Sequence, residues 1–231
     1  MQPIFPFHPP VVVPLADGRS CFPVRRIFCV GRNYAEHARE MGASDPAQEA
    51  PFFFTKPADA LVAGSGALQV NYPSATRNLH HEVEMVVALG EGGQEITVDV
   101  AQSLILAYGV GLDLTRRDLQ ASAKSKGQPW DMGKAFDHSA VCGPLKLARE
   151  CGHLDSGAIC LHVNGDMRQS GDLTEMMWTA PRIVAELSRL VRLAAGDLIY
   201  TGTPAGVGPL QRGDRLEARI AGLPPLSAVM V

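Results

Sequence analysis

Short runs in which apolar and polar residues alternate, rather than long helical stripes, organise this chain. A period of two sends successive side chains to opposite faces of a strand, so such runs predict half-buried β-structure. Strands are expected at 26–30, 67–70, 82–88, 159–163 and 197–201, with a final pair at 215–220 and 226–231 around the turn Gly222-Leu-Pro-Pro. Helices are fewer: 34–41 closed by Gly42, 98–104, 114–126 closed by Gly127, and 181–192 opening on Pro181. In the last of these Ile183, Leu187, Leu190 and Val191 recur at helical spacing, which predicts an apolar side packed on a sheet. The 23 glycines and 17 prolines recur throughout, as many short strands joined by turns require. The pattern predicts an α+β fold, predominantly β, with one domain over 22–231 behind a Pro-rich, loosely ordered extension at 1–21.

Composition narrows the classes of function. Of 231 residues, 46% are hydrophobic and 19% charged, ordinary for a globular domain and wrong for a disordered, collagen-like or coiled-coil chain. With 21 Lys and Arg against 24 Asp and Glu there is no basic field to hold nucleic acid or an anionic membrane. No apolar run approaches the roughly 18 residues of a membrane helix; the longest, 101–112, contains Gln102, Ser103, Gly109 and Gly111. The first fifteen residues carry several prolines and no Lys or Arg, unlike a secretory leader. Five scattered cysteines without a CxxC pair read as reduced, packed thiols, so a cytoplasmic protein is expected.

The candidate chemistry is acidic. In His80-His-Glu-Val-Glu, Glu82 and Glu84 project from one face of a strand. If buried, such a pair must share a proton or hold a cation, and oxygen ligands select Mg²⁺, Mn²⁺ or Ca²⁺; on a solvated face it would be unremarked. Asp113 ends an apolar strand at the start of a helix, where it is either a third ligand or an N-cap. Arg117 and Gln120 follow at offsets of four and seven, on one helical face with it, lining a cavity or facing solvent. His37 and Glu40, at i and i+3, have the spacing of an oriented general base or of a surface pair. Lys134 sits in a loop with glycine and aromatic residues, where it either meets a substrate oxyanion or is an ordinary surface lysine. Thr201-Gly-Thr-Pro-Ala-Gly-Val-Gly matches no nucleotide-binding fingerprint, and Thr203 with nearby amides suits a carboxylate better.

Taken in order, seven segments resemble the fumarylacetoacetate hydrolase family: Cys29-Val-Gly-Arg-Asn-Tyr-Ala-Glu-His-Ala-Arg-Glu, Phe53-Phe-Thr-Lys-Pro, His80-His-Glu-Val-Glu, Gly111-Leu-Asp-Leu-Thr-Arg-Arg-Asp-Leu-Gln, Lys134-Ala-Phe-Asp, Val163-Asn-Gly and Ile199-Tyr-Thr-Gly-Thr-Pro-Ala-Gly-Val-Gly-Pro. The resemblance implies a mixed β-sandwich or roll of the fumarylacetoacetase C-terminal type, with a few peripheral helices, as a homodimer. It implies Mg²⁺ or Mn²⁺, with Ca²⁺ as a substitute, on Glu82, Glu84 and Asp113. His37 and Glu40 become a water-activating dyad, Lys134, Gln120 and Arg117 lie near the reacting carbonyl, and Thr203 binds the substrate carboxylate. Within the family the chain is most similar to bacterial members that cleave fumarylpyruvate, a dioxo acid of gentisate breakdown, into fumarate and pyruvate. Arg32, Arg77 and Arg116 are candidates for the distal carboxylate. Acylpyruvase, oxaloacetate decarboxylase, and isomerase or decarboxylase activities of the homoprotocatechuate pathway are the alternatives on the same site.

Overall fold

The computed structural model describes residues 3–42 and 50–231. An eight-stranded mixed sheet runs in the order Phe52–Lys56, Arg26–Gly31, Asp197–Tyr200, Val83–Leu89, Ile105–Asp113, Ala140–Cys142 and Leu61–Ala63, with Lys146–Leu147 also paired to Ile105–Asp113. A five-stranded sheet follows the order Asp166–Asp172, Ala158–Val163, Arg215–Ile220, Leu226–Met230 and Ala67–Val70. A small sheet joins Thr115–Arg116, Leu79–His81 and Gly208–Pro209.

Strand alternation divides the interior into two cores. Val83, Met85, Val87 and Leu89 point toward the five-stranded sheet and pack with Ile159, Leu161, Leu216 and Ala218. Val86 and Ala88 point the other way, into a smaller core with Ile27, Cys29, Cys142, Leu198 and Tyr200. The larger sheet curls around that smaller core, and glycine lets it close. A Cβ at Gly111 would lie 2.5 Å from Val86 Cγ2 and 2.6 Å from the Tyr200 ring. The predicted β-rich sandwich or roll is the observed architecture.

Four details differ from the sequence pattern. Val12–Pro14 pairs with Cys21–Pro23 and buries Val13 in the smaller core, so order begins within the Pro-rich extension, whose first two residues lie outside those described. The helix Ala180–Leu190 buries Ile183, Val184 and Leu187 but turns Leu190 to solvent, because it ends there. Phe52–Lys56 and Asp166–Asp172 are strands that period-two alternation did not reveal. No helix among the described residues is long and apolar enough to cross a membrane.

Candidate active site

Three acidic side chains converge at one end of the curled sheet. Glu82 lies in the break between Leu79–His81 and Val83–Leu89, Glu84 is the second residue of the latter strand, and Asp113 ends Ile105–Asp113. Register brings them together: Glu84 pairs with Gly111, and Asp113 N–H donates to Glu82 O at 2.9 Å. All three are buried, and each places a carboxylate oxygen within 4.8 Å of the others. The solvated-face alternative for Glu82 and Glu84 is thereby removed.

Carboxylates this close need cations. Lys134 Nζ donates to Glu82 Oε2 at 2.7 Å and to Asp113 Oδ2 at 2.8 Å, and Arg117 Nη2 donates to Glu82 Oε1. Burial alone would raise the Glu82 carboxyl, but Lys134 and Arg117 reverse this and hold it well below the usual range. Burial likewise opposes charge on Lys134, yet Asp113 and Glu82 lift its ammonium above the ordinary lysine range. Lys134 is therefore a fixed cation rather than a base. Among the described residues no ion pair reaches Glu84; burial, then Asp113 and Glu82, push its carboxyl well above the usual range, while Gly202 N–H donates to it at 2.7 Å.

A divalent cation would relieve that excess. The donor set is all oxygen, which suits Mg²⁺, Mn²⁺ or Ca²⁺ over zinc. Asp113 Oδ1 is buried 2.8 Å from Lys56 Nζ, in a contact not aligned as a hydrogen bond, so it retains a lone pair for a metal. The residues fit the ion, and the triad can hold it.

The His–Glu pair faces the same space. His37, on the helix Ala35–Glu40, sets Nδ1 3.2 Å from Glu40 Oε2. A carboxylate only accepts, so Nδ1 carries the proton and Nε2 is the basic nitrogen. Glu40 Oε2 also accepts from Gly206 N–H at 3.3 Å, which ties the end of this helix to the loop after Tyr200. A cavity of about 180 Å³ is lined by nine of the twelve residues singled out from the sequence; Glu40 stands behind His37, and Arg77 and Arg116 lie outside the lining.

Two expectations about how these residues arrive are corrected. Asp113 is not on a helix: the backbone stays extended through Thr115–Arg116, which pairs with Leu79 and His80, and the helix begins at Arg117. The helical face joining Asp113 to Arg117 and Gln120 therefore does not exist, whereas the Arg117–Gln120 pair does, with Nη1 donating to Oε1 at 2.6 Å. Lys134 is not in a loop but ends a helical turn, Asp131–Lys134, packed so tightly that a Cβ at Gly133 would lie 2.9 Å from Gln120 N. Of the three arginines weighed for a distal carboxylate, Arg32 lines the cavity. Arg116 instead stacks 4.3 Å over Phe136, and the Arg77 N–H binds Asp118.

Several residues in or just behind the cavity wall escaped the sequence pattern. Lys56 Nζ meets Asp113 and the backbone oxygens of Leu114 and Lys134. Phe52, Phe54 and Trp130 form an aromatic wall, with Trp130 edge-on to Phe52 at 5.3 Å, and Lys124 stands at the mouth. A run of three phenylalanines before Thr-Lys-Pro was the available signal for the wall and for Lys56.

A curled sheet carrying a buried carboxylate triad beside a His–Glu dyad defines an enzyme that works with a divalent cation on a small molecule. The chain belongs to the fumarylacetoacetate hydrolase family: residues 26–231 match the model described as fumarylacetoacetate (FAA) hydrolase C-terminal. It is similar to the crystal structure of fumarylpyruvate hydrolase from Pseudomonas aeruginosa in complex with Mn²⁺ and pyruvate, at 48% identity and TM-score 0.97, covering 100% of this chain and 99% of that one. A fumarylpyruvate hydrolase of Ralstonia sp is 43% identical over 79% of this chain and 94% of its own length. The oxaloacetate tautomerase YcgM of Escherichia coli K12 is 41% identical over 87% of this chain and 90% of its own length. Hydrolase and tautomerase activities thus both occur among close relatives.

Proposed function

We propose that the protein hydrolyses the C3–C4 bond of a 2,4-dioxo acid, fumarylpyruvate, to fumarate and pyruvate, using Mg²⁺ or Mn²⁺ on Glu82, Glu84 and Asp113. The observation that carries this reading is the His37–Glu40 dyad opening on the cavity of the triad. Enolate stabilisation alone serves a decarboxylase and a tautomerase adds a base at C3, whereas hydrolysis needs a base that activates water. Charge supports a diacid. Three buried carboxylates face three cations, Lys56, Lys134 and Arg117, so a divalent ion leaves two positive charges for a dianionic substrate to meet.

When bound, the ion supplies Lewis acidity at the 2-oxo oxygen, where enolate charge develops. His37 Nε2 takes a proton from water as the water oxygen attacks C4, and Glu40 steadies the resulting imidazolium. Gln120 Oε1 is occupied by Arg117, which leaves the Nε2 hydrogens to donate to the oxyanion on C4, with the Lys134 charge fixed nearby. Collapse breaks C3–C4 and leaves the electron pair on C3; the proton held by His37 then reaches C3 and gives pyruvate, while the acyl half departs as fumarate. Thr203 binds the 1-carboxylate, and Arg32 with Lys124 receives the distal one, the planar chain lying against Phe52, Phe54 and Trp130.

A second reading, keto–enol conversion of oxaloacetate, is favoured by the 41% identity with the E. coli tautomerase and by oxaloacetate being a diacid too. Purified protein should be given fumarylpyruvate, acetylpyruvate and oxaloacetate, each with Mn²⁺ or EDTA, and the products identified. Fumarate and pyruvate in equal amounts, formed only with metal and far faster than acetylpyruvate is cleaved, is the expected result. Oxaloacetate conversion with no fumarate released would move the function to the second reading. The family resemblance also supports a homodimer, and the five free cysteines support a cytoplasmic location.

A further inference from the structure

Gln169 lies on the strand Asp166–Asp172 of the five-stranded sheet, buried, with every hydrogen-bonding position of its amide used. Its Oε1 accepts from Val83 N–H at 3.0 Å and faces His81 Nδ1 at 3.0 Å. Its Nε2 donates to Pro204 O at 2.9 Å and to Thr203 Oγ1 at 2.7 Å. Val83 N–H can only donate and Pro204 C=O can only accept, so the two backbone partners fix which end of the amide is which. The amide cannot flip, and its nitrogen must face Thr203.

The consequence falls on the threonine. Thr203 Oγ1 receives a hydrogen bond, and among the described residues its own O–H donates to no protein group. Thr203 is buried yet lines the cavity, so the remaining direction for that proton is into it. A threonine hydroxyl not fixed in this way rotates to suit whichever acceptor is nearest.

We propose that Gln169 is a positioning residue: by donating to Thr203 Oγ1 it commits that hydroxyl to donate to a carboxylate oxygen of the bound ligand. The inference rests on the reading that a 2-oxo acid carboxylate lies at Thr203. Gln169 reaches the site from the opposite sheet and never touches the ligand. Because Val83 sits between Glu82 and Glu84, a purely structural role for Gln169 would be to brace the strand that carries them.

Titration calorimetry of pyruvate into Mn²⁺-loaded protein separates the two roles, using wild type, Gln169→Met, Thr203→Val and the double variant. Each single substitution is expected to weaken pyruvate about tenfold. The double variant should bind no more weakly than Thr203→Val alone, because Gln169 acts through that hydroxyl. Mn²⁺ affinity in Gln169→Met should stay within about threefold of wild type, the scatter of independent sites. Additive losses in the double variant, or parallel loss of Mn²⁺ and pyruvate binding, would overturn the proposal. Should Gln169→Met not fold, Gln169→Glu, which keeps the shape and turns an oxygen toward Thr203, takes its place in the cycle. Binding of pyruvate needs no turnover, so a protein that keeps the coupling but fails to cleave fumarylpyruvate would sink only the substrate assignment. Intact hydrolysis with additive losses would sink only the role of Gln169.

Discussion

Lys134 bridges two buried carboxylates at all times, whereas His37 matters only when a water molecule is to be activated. Substitution should separate these roles. Lys134→Met leaves Glu82 and Asp113 short of a cation, and removing one partner of a buried pair costs about 3–5 kcal/mol. Urea denaturation in EDTA should show that loss, with part of it recovered in Mn²⁺. His37→Gln should stay within about 1 kcal/mol of wild type and lower kcat by about 100-fold or more. Equal stability losses would mean that His37 is a structural residue. Glu82 with Glu84, and His37 with Glu40, were legible in the sequence because each pair is close along the chain, although Glu82 itself falls in the break between two strands. Lys56 and Gln169 were not, since their burial depends on Asp113 and Thr203, far along the chain.

The turn after the strand Asp197–Tyr200 shows how an element holds the site. Gly202 has φ +96°, donates its N–H to Glu84, and sits so close to Asn33 that a Cβ there would lie 2.6 Å from Asn33 Cβ. Asn33 cannot yield, because its amide is bonded to Trp178 N, Trp178 O and Thr201 O. Gly202→Ala should therefore cost about 3 kcal/mol, from left-handed strain and displaced backbone, and weaken Mn²⁺ through Glu84. Thermal unfolding and metal titration would read both, and a wild-type melting curve would refute the account. Elements whose pattern alternates cleanly, such as Arg215–Ile220, were legible. Phe52–Lys56 was hidden by three consecutive aromatics and Asp166–Asp172 by its polarity, although Asn164-Gly165, with φ 55° and 89°, was a readable hairpin turn. The helix starting at Arg117 instead of 114 reflects a pairing of Thr115–Arg116 with Leu79–His81 that no local pattern contains.

At the scale of the molecule, the curl of the large sheet brings residues from 30 to 203 onto one cavity, and glycine on its inner face permits that curl. The β-rich class was legible from alternation, but the roll became an expectation only through the resemblance of seven motifs, and its register was not an expectation at all. A homodimer implies that light scattering behind size exclusion will give twice the mass of one chain, and a monomer mass would remove that assignment. On the proposed reading this cavity directs water to an acyl carbon. The decisive experiment is cleavage of fumarylpyruvate in H₂¹⁸O with Mn²⁺, followed by mass spectrometry of the released acids. Fumarate should carry one ¹⁸O in its new carboxylate, with pyruvate formed in equal amount. Consumption of substrate without labelled fumarate, or exchange of C3 protons alone, would rule hydrolysis out.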